Sequence, residues 1–159
     1  MPAAAVLMSP ITFMDTMEGS HTEMVDFDYI LAEDSFIISD VAELYAPGRD
    51  KTHPRLSPLY GDLLGLPPMQ LYVGTDELLF DDAIRFYRKS RRAGNQVELI
   101  VGDHMPHSWP IFIGDFPEAE AAVLKMGDFL RLYLPEEEQR LMSACDTKGK
   151  DRGACDGNK

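Results

Sequence analysis

The 159-residue sequence predicts an α/β fold, a parallel sheet of about three strands with helices packed against its faces. Three observations carry that prediction. Short apolar runs over 3–8, 69–73 and 96–101 read as strands, and helical patterns stand between and after them. Glycine or proline punctuates most of the junctions. Strands alternating with helices imply parallel pairing through crossover connections. In such sheets, chemistry collects at the carboxyl ends of the strands.

The elements follow in order. Residues 3–8 are apolar and are closed by Ser9-Pro10, as for a buried strand. Residues 11–28, rich in Met, Asp and Thr, have no clear period and are expected to be loop. Over 29–45 the positions Ile30, Ile37, Val41 and Leu44 fall roughly at helical spacing, so one or two short helices are expected before Ala46-Pro47-Gly48. Residues 49–68 form a long connection broken by Pro54, Pro58, Gly61, Gly65, Pro67 and Pro68, and long loops in compact domains are commonly functional. The second strand covers 69–73.

A helix is expected over 81–93, with Asp81 and Asp82 at its start and Arg88, Lys89, Arg91 and Arg92 near its end. That polarity complements the helix dipole, and Gly94 suits a left-handed C-terminal cap. Residues 96–101 alternate in part and form the third strand. The clearest helix runs over 117–134, where Ala119, Ala122, Val123, Met126, Phe129, Leu130 and Tyr133 share one face between Pro117 and Pro135. One partial catalytic domain is thus expected over 1–135, followed by a polar, disordered tail over 136–159.

Composition narrows the function classes. A hydrophobic share of 45% and a charged share of 26% are those of a soluble globular chain. The formal net charge of -12 argues against nucleic acid and anionic membrane as partners, since both require clustered Lys and Arg. No run is long enough to span a bilayer, and the apolar N-terminus lacks the basic flank of a signal peptide. Cys145 and Cys155 both fall in the polar tail, which suits free thiols in a reducing compartment. The expected location is cytoplasmic.

Asp76, just after the second strand, and His107, after the third, are the candidate catalytic pair. An acid after one strand and a histidine after the next is the order in which an α/β-hydrolase carries the last two members of its Ser-Asp-His triad. There the histidine moves the serine proton and the acid fixes its tautomer. By spacing alone His104 could serve as well as His107, and Asp76 could equally be a capping acid ahead of the next helix. Asp103, His104 and His107 on one short loop make too poor a ligand set for a metal, and no cofactor is expected. No serine lies in Gly-x-Ser-x-Gly: Ser9 precedes Pro10, Ser57 lies between Leu56 and Pro58, and Ser108 directly follows His107. No His-Gly-Gly segment supplies an oxyanion hole either.

Several segments together resemble the hormone-sensitive-lipase-like esterases, the fold-3 branch of the α/β-hydrolases. They are Ala5-Val-Leu-Met-Ser-Pro, Leu56-Ser-Pro-Leu-Tyr-Gly-Asp-Leu, Gly65-Leu-Pro-Pro, Val73-Gly-Thr-Asp-Glu-Leu-Leu-Phe-Asp-Asp-Ala, Ala93-Gly-Asn-Gln-Val-Glu-Leu and Met105-Pro-His-Ser-Trp. They stand in the family's order over 2–134 and match its C-terminal half. The resemblance implies a carboxylic ester substrate, Asp76 as triad acid and His107 as base, and it leaves His104 at a variable position. It also implies that the oxyanion loop, the nucleophile elbow and five further strands precede Met1. On that reading the isolated chain is inactive, and its first strand offers an open edge for self-association. The alternative is a non-catalytic remnant serving as a binding or interaction module.

Overall fold

Three strands, β1 (Ala5–Met8), β2 (Met69–Gly74) and β3 (Val97–Gly102), pair in the order β1-β2-β3, all parallel. The computed structural model describes residues 1–15, 18–31 and 38–135. The first strand pairs only from Ala5, whose N–H donates to the Pro68 carbonyl at 2.9 Å. β2 is central and buried at every residue, the polar Gln70 included, as expected of a strand covered on both faces. β3 is an edge strand with the partial alternation expected of it.

The helices are α1 (Ser20–Glu23), α2 (Ile38–Tyr45), α3 (Phe80–Arg92) and α4 (Pro117–Arg131). Successive residues of β2 point to opposite faces. Leu71 and Val73 join Ala83 and Phe86 of α3 in one core cluster, while Tyr72 joins Trp109 and the α4 residues Ala119 and Ala122 in the other. Small alanines let α4 lie close to the sheet. Of the face expected on α4, Val123 and Leu130 are exposed, at 37% and 39%. The helix packs over its first half more tightly than its apolar stripe predicts.

α3 has the expected polarity, and Gly94 beyond it takes the left-handed φ of +85°. Its first-turn acids also do something the dipole argument does not contain. Asp82 is fully buried, and its Oδ1 accepts the backbone N–H groups of Thr12 (2.5 Å) and Phe13 (3.1 Å). Its Oδ2 lies 2.5 Å from Nε2 of the buried His21. Asp81 accepts the N–H of Ser20, and Ser20 Oγ donates to the Leu78 carbonyl at 2.6 Å. These bonds order α1 inside the stretch expected to be loop. No periodicity announces it, because one turn held by distant side chains needs none. Within 49–68, a 3-10 turn over Pro58–Tyr60 is the only regular element. Residues 32–37 of the expected helical stretch, and the tail 136–159 with its two cysteines, lie outside the described residues.

Candidate active site

Parallel register brings three strand ends to one edge of the sheet. Met8 pairs with Tyr72 and Gly74 with Gly102, so Ser9, residues 75–77 and the loop after Gly102 emerge side by side. The loop 103–108 then crosses the end of β2, where Thr75 Oγ1 accepts the His104 N–H (2.8 Å) and the Met105 carbonyl accepts the Asp76 N–H (3.3 Å). Gly74 makes this crossing possible. A Cβ there would lie 1.9 Å from the Met105 carbonyl oxygen, and any side chain would push the loop away.

His107 is half-buried on this loop. Its Nε2 lies 3.1 Å from Ser108 Oγ, while its Nδ1 is buried without a partner. Burial lowers its pKa, and the charge of Asp28 opposes that shift. Ser108 does not thereby become a nucleophile. It sits in a left-handed turn, and its own N–H is committed to Ser9.

The two predicted residues have different hydrogen-bond partners. Asp76 accepts from Thr75 Oγ1 (2.8 Å), and its other oxygen meets Nδ1 of His104 at 3.3 Å. His104 is 82% exposed, so this is a surface pair of small energetic weight. No hydrogen bond or ion pair joins Asp76 to His107 among the described residues.

The next residue lies quite differently. Glu77 is fully buried; its Oε2 accepts from Ser9 Oγ at 2.8 Å, and its Oε1 has no partner. Burial pushes its pKa up to about 8, against the opposing influence of the Ser9 hydroxyl and of the nearby Gly74 and Ser108 backbone N–H groups. Ser9 Oγ in turn accepts the Ser108 N–H at 2.9 Å, so a single hydroxyl joins the carboxylate to the residue beside His107. Asp28, also fully buried, faces both groups, but its oxygens are taken by the N–H groups of Ile30, Leu31 and Leu78. The sequence pattern singles out Asp76 and not its neighbour Glu77. The available signal was that Glu77 opens the run Leu78-Leu79-Phe80, the first two of which are buried, and a triad acid can be Glu as well as Asp. Among the described residues no group of three His, Cys, Asp or Glu gathers as a metal site.

A family model for the alpha/beta hydrolase fold matches residues 1–111. The chain belongs to the alpha/beta hydrolase fold-3 esterase family. Similarity to individual members extends further along the chain. It is 37% identical over 131 residues to an acetyl-hydrolase of Streptomyces hygroscopicus, covering 82% of this chain and 43% of that protein. It superimposes on a hormone-sensitive lipase from a metagenome library with TM-score 0.78 and 29% identity, over 84% of this chain and 45% of the other. An esterase of the bacterial hormone-sensitive lipase family gives TM-score 0.77 at 36% identity, over 84% and 44% of the two chains. The chain thus spans less than half the length of these relatives. As an α/β-hydrolase, it has the parallel sheet with flanking helices that the sequence predicts.

Proposed function

We propose that this chain carries the acid–base half of a serine esterase acting on carboxylic esters, with His107 as the base and Glu77 as the acid that orients it. The observation that carries the reading is the pair of buried, unpartnered atoms, His107 Nδ1 and Glu77 Oε1, on segments tied together through Ser9. Buried polar atoms are rarely left unpaired, and an N–H facing a carboxylate would satisfy both at once. Such a donor would also bring the Glu77 pKa back down, because a hydrogen bond to the charged form favours it. Asp76, the acid expected from the sequence, keeps the weaker claim on account of its contact with exposed His104.

In the proposed reaction, a serine supplied from outside these residues attacks the ester carbonyl carbon while His107 Nε2 takes its proton. The tetrahedral intermediate collapses to an acyl-serine as the alkoxide leaves with that proton. Water then cleaves the acyl-serine with the same base. Glu77 holds the Nδ1–H tautomer and stabilises the imidazolium. The partner implied is a small ester, in keeping with the acetyl-hydrolase and esterase names among the relatives.

The test mixes the chain with the nucleophile-bearing half of a related esterase and follows hydrolysis of a short-chain aryl ester. Turnover is expected from the mixture and not from the chain alone. His107→Ala should lower it by roughly three to four orders of magnitude, Glu77→Gln by at least about tenfold, and Asp76→Asn by much less. Turnover surviving His107→Ala would overturn the assigned base. A larger loss for Asp76→Asn than for Glu77→Gln would restore Asp76 as the acid.

A further inference from the structure

We propose that Ser9 is a positioning residue of this site, its hydroxyl fixing the Glu77 carboxylate and the His107 loop to each other at the end of β1. This rests on the reading of Glu77 as the orienting acid. Ser9 is 5% exposed, and its N–H donates to the Tyr72 carbonyl at 2.8 Å, which extends the β1–β2 ladder by one residue. Its position is therefore set by the sheet. From there Oγ donates to Glu77 Oε2 and accepts the Ser108 N–H, so its single proton and an acceptor lone pair both serve the site. With Oε2 occupied, Oε1 is the oxygen left for a further donor.

The backbone supports the same reading. Ser9, His104 and Ser108 are the described non-glycine residues with left-handed φ, at 43°, 54° and 54°. All three lie at this edge of the sheet, and such conformations persist only where the surroundings impose them. At Ser9 the left-handed turn directs a short hydroxyl side chain to the acid. A glycine would hold the turn more easily but would carry no donor. Serine there supplies the donor despite the strain.

The groups facing the Glu77 carboxylate are Asp28, which raises its proton affinity, and the Gly74 N–H, the Ser108 N–H and the Ser9 hydroxyl, which lower it. Removing the Ser9 hydroxyl therefore makes Glu77 ionise at higher pH and frees the loop carrying His107. A purely structural serine would change stability and leave both titrations where they were.

The experiment follows carboxyl carbon and imidazole resonances by NMR against pH in the 159-residue chain, for wild type, Ser9→Ala, Ser9→Gly and Glu77→Gln. Both Ser9 variants should raise the Glu77 midpoint by about half a unit or more and change the His107 tautomer balance. Ser9→Gly accepts the left-handed turn without strain and keeps the test open if Ser9→Ala fails to fold. Unmoved midpoints in both variants would overturn the proposal, as would a shift in Ser9→Ala that is absent in Ser9→Gly, since that pattern belongs to backbone strain. A His107 titration indifferent to Glu77→Gln would instead sink the assignment of the acid. A His107 that responds to Glu77→Gln but not to the Ser9 variants would sink only the role of Ser9.

Discussion

Adjacent carboxylates in the bend just past β2 meet opposite fates. Asp76 turns toward solvent and His104, whereas Glu77 turns into the protein, where burial raises its pKa to about 8. This has a consequence for stability. An unfolded Glu ionises near pH ~4.3, so between there and about pH 8 the folded chain binds more protons than the unfolded one. Stability is full below the lower value and falls as pH rises through the window. His107, whose pKa is lowered by burial, works in the opposite sense, adding stability as pH climbs through the unfolded imidazole range near ~6.5. Glu77→Gln should abolish the fall, on the order of a few kcal/mol, and leave the rise. Urea unfolding midpoints at several pH values check this; an unchanged pH slope in the variant would contradict it.

At the scale of elements, the first turn of α3 organises the segment between β1 and α1. Asp82 Oδ1 takes two backbone N–H groups of that segment, and Oδ2 meets His21, whose ring stacks on Phe13 at 4.7 Å between centroids. Arg85, one turn along α3, lies over the same Phe13 ring at 4.9 Å. Asp82→Ala would strand three buried donors, so a loss of ~2–4 kcal/mol is expected. Denaturant unfolding measures the loss, and faster proteolysis within 9–21 should accompany it. Asp81→Ala, which gives up the Ser20 N–H bond, should cost less. Because Ser9 begins this same segment, Asp82→Ala should also disturb the His107 resonances.

For the whole molecule the governing fact is the sheet's order. Among the described residues β1 has a neighbour on one side only, and because Ala5 and Ser9 donate to carbonyls on the β2 side, the intervening alternation turns the Met8 N–H to the open side. An open strand edge is a template for another chain. We expect the isolated chain to self-associate in a concentration-dependent way, visible by light scattering coupled to gel filtration. Met8→Pro removes an outward donor at a residue that is 40% exposed and should reduce the association without breaking a ladder bond to β2. A monomer at high concentration with a sharp thermal transition would refute the expectation. The net charge of -12 opposes association, so added salt should strengthen it.

The sequence by itself determined the three strands, the helices α3 and α4 between and after them, the parallel pairing and the left-handed cap at Gly94. Each of these follows from local pattern: apolar runs for β2, helical spacing on α3 and α4, and glycine where φ turns positive. It also named His107 as the base through the segments around it, a reading that the burial of its unpartnered Nδ1 supports. Tertiary structure alone decided which carboxylate is buried and tied through Ser9 to the His107 loop. Asp76 and Glu77 are one residue apart and alike in charge, so no periodicity separates them; burial and hydrogen bonding do. The same holds for Ser9, whose hydroxyl meets Glu77 across 68 positions of sequence, and for Asp82, whose partners lie about 60 to 70 positions away. Local pattern encodes where a chain folds into elements, but a polar side chain's partner depends on which distant segment the packed sheet brings beside it.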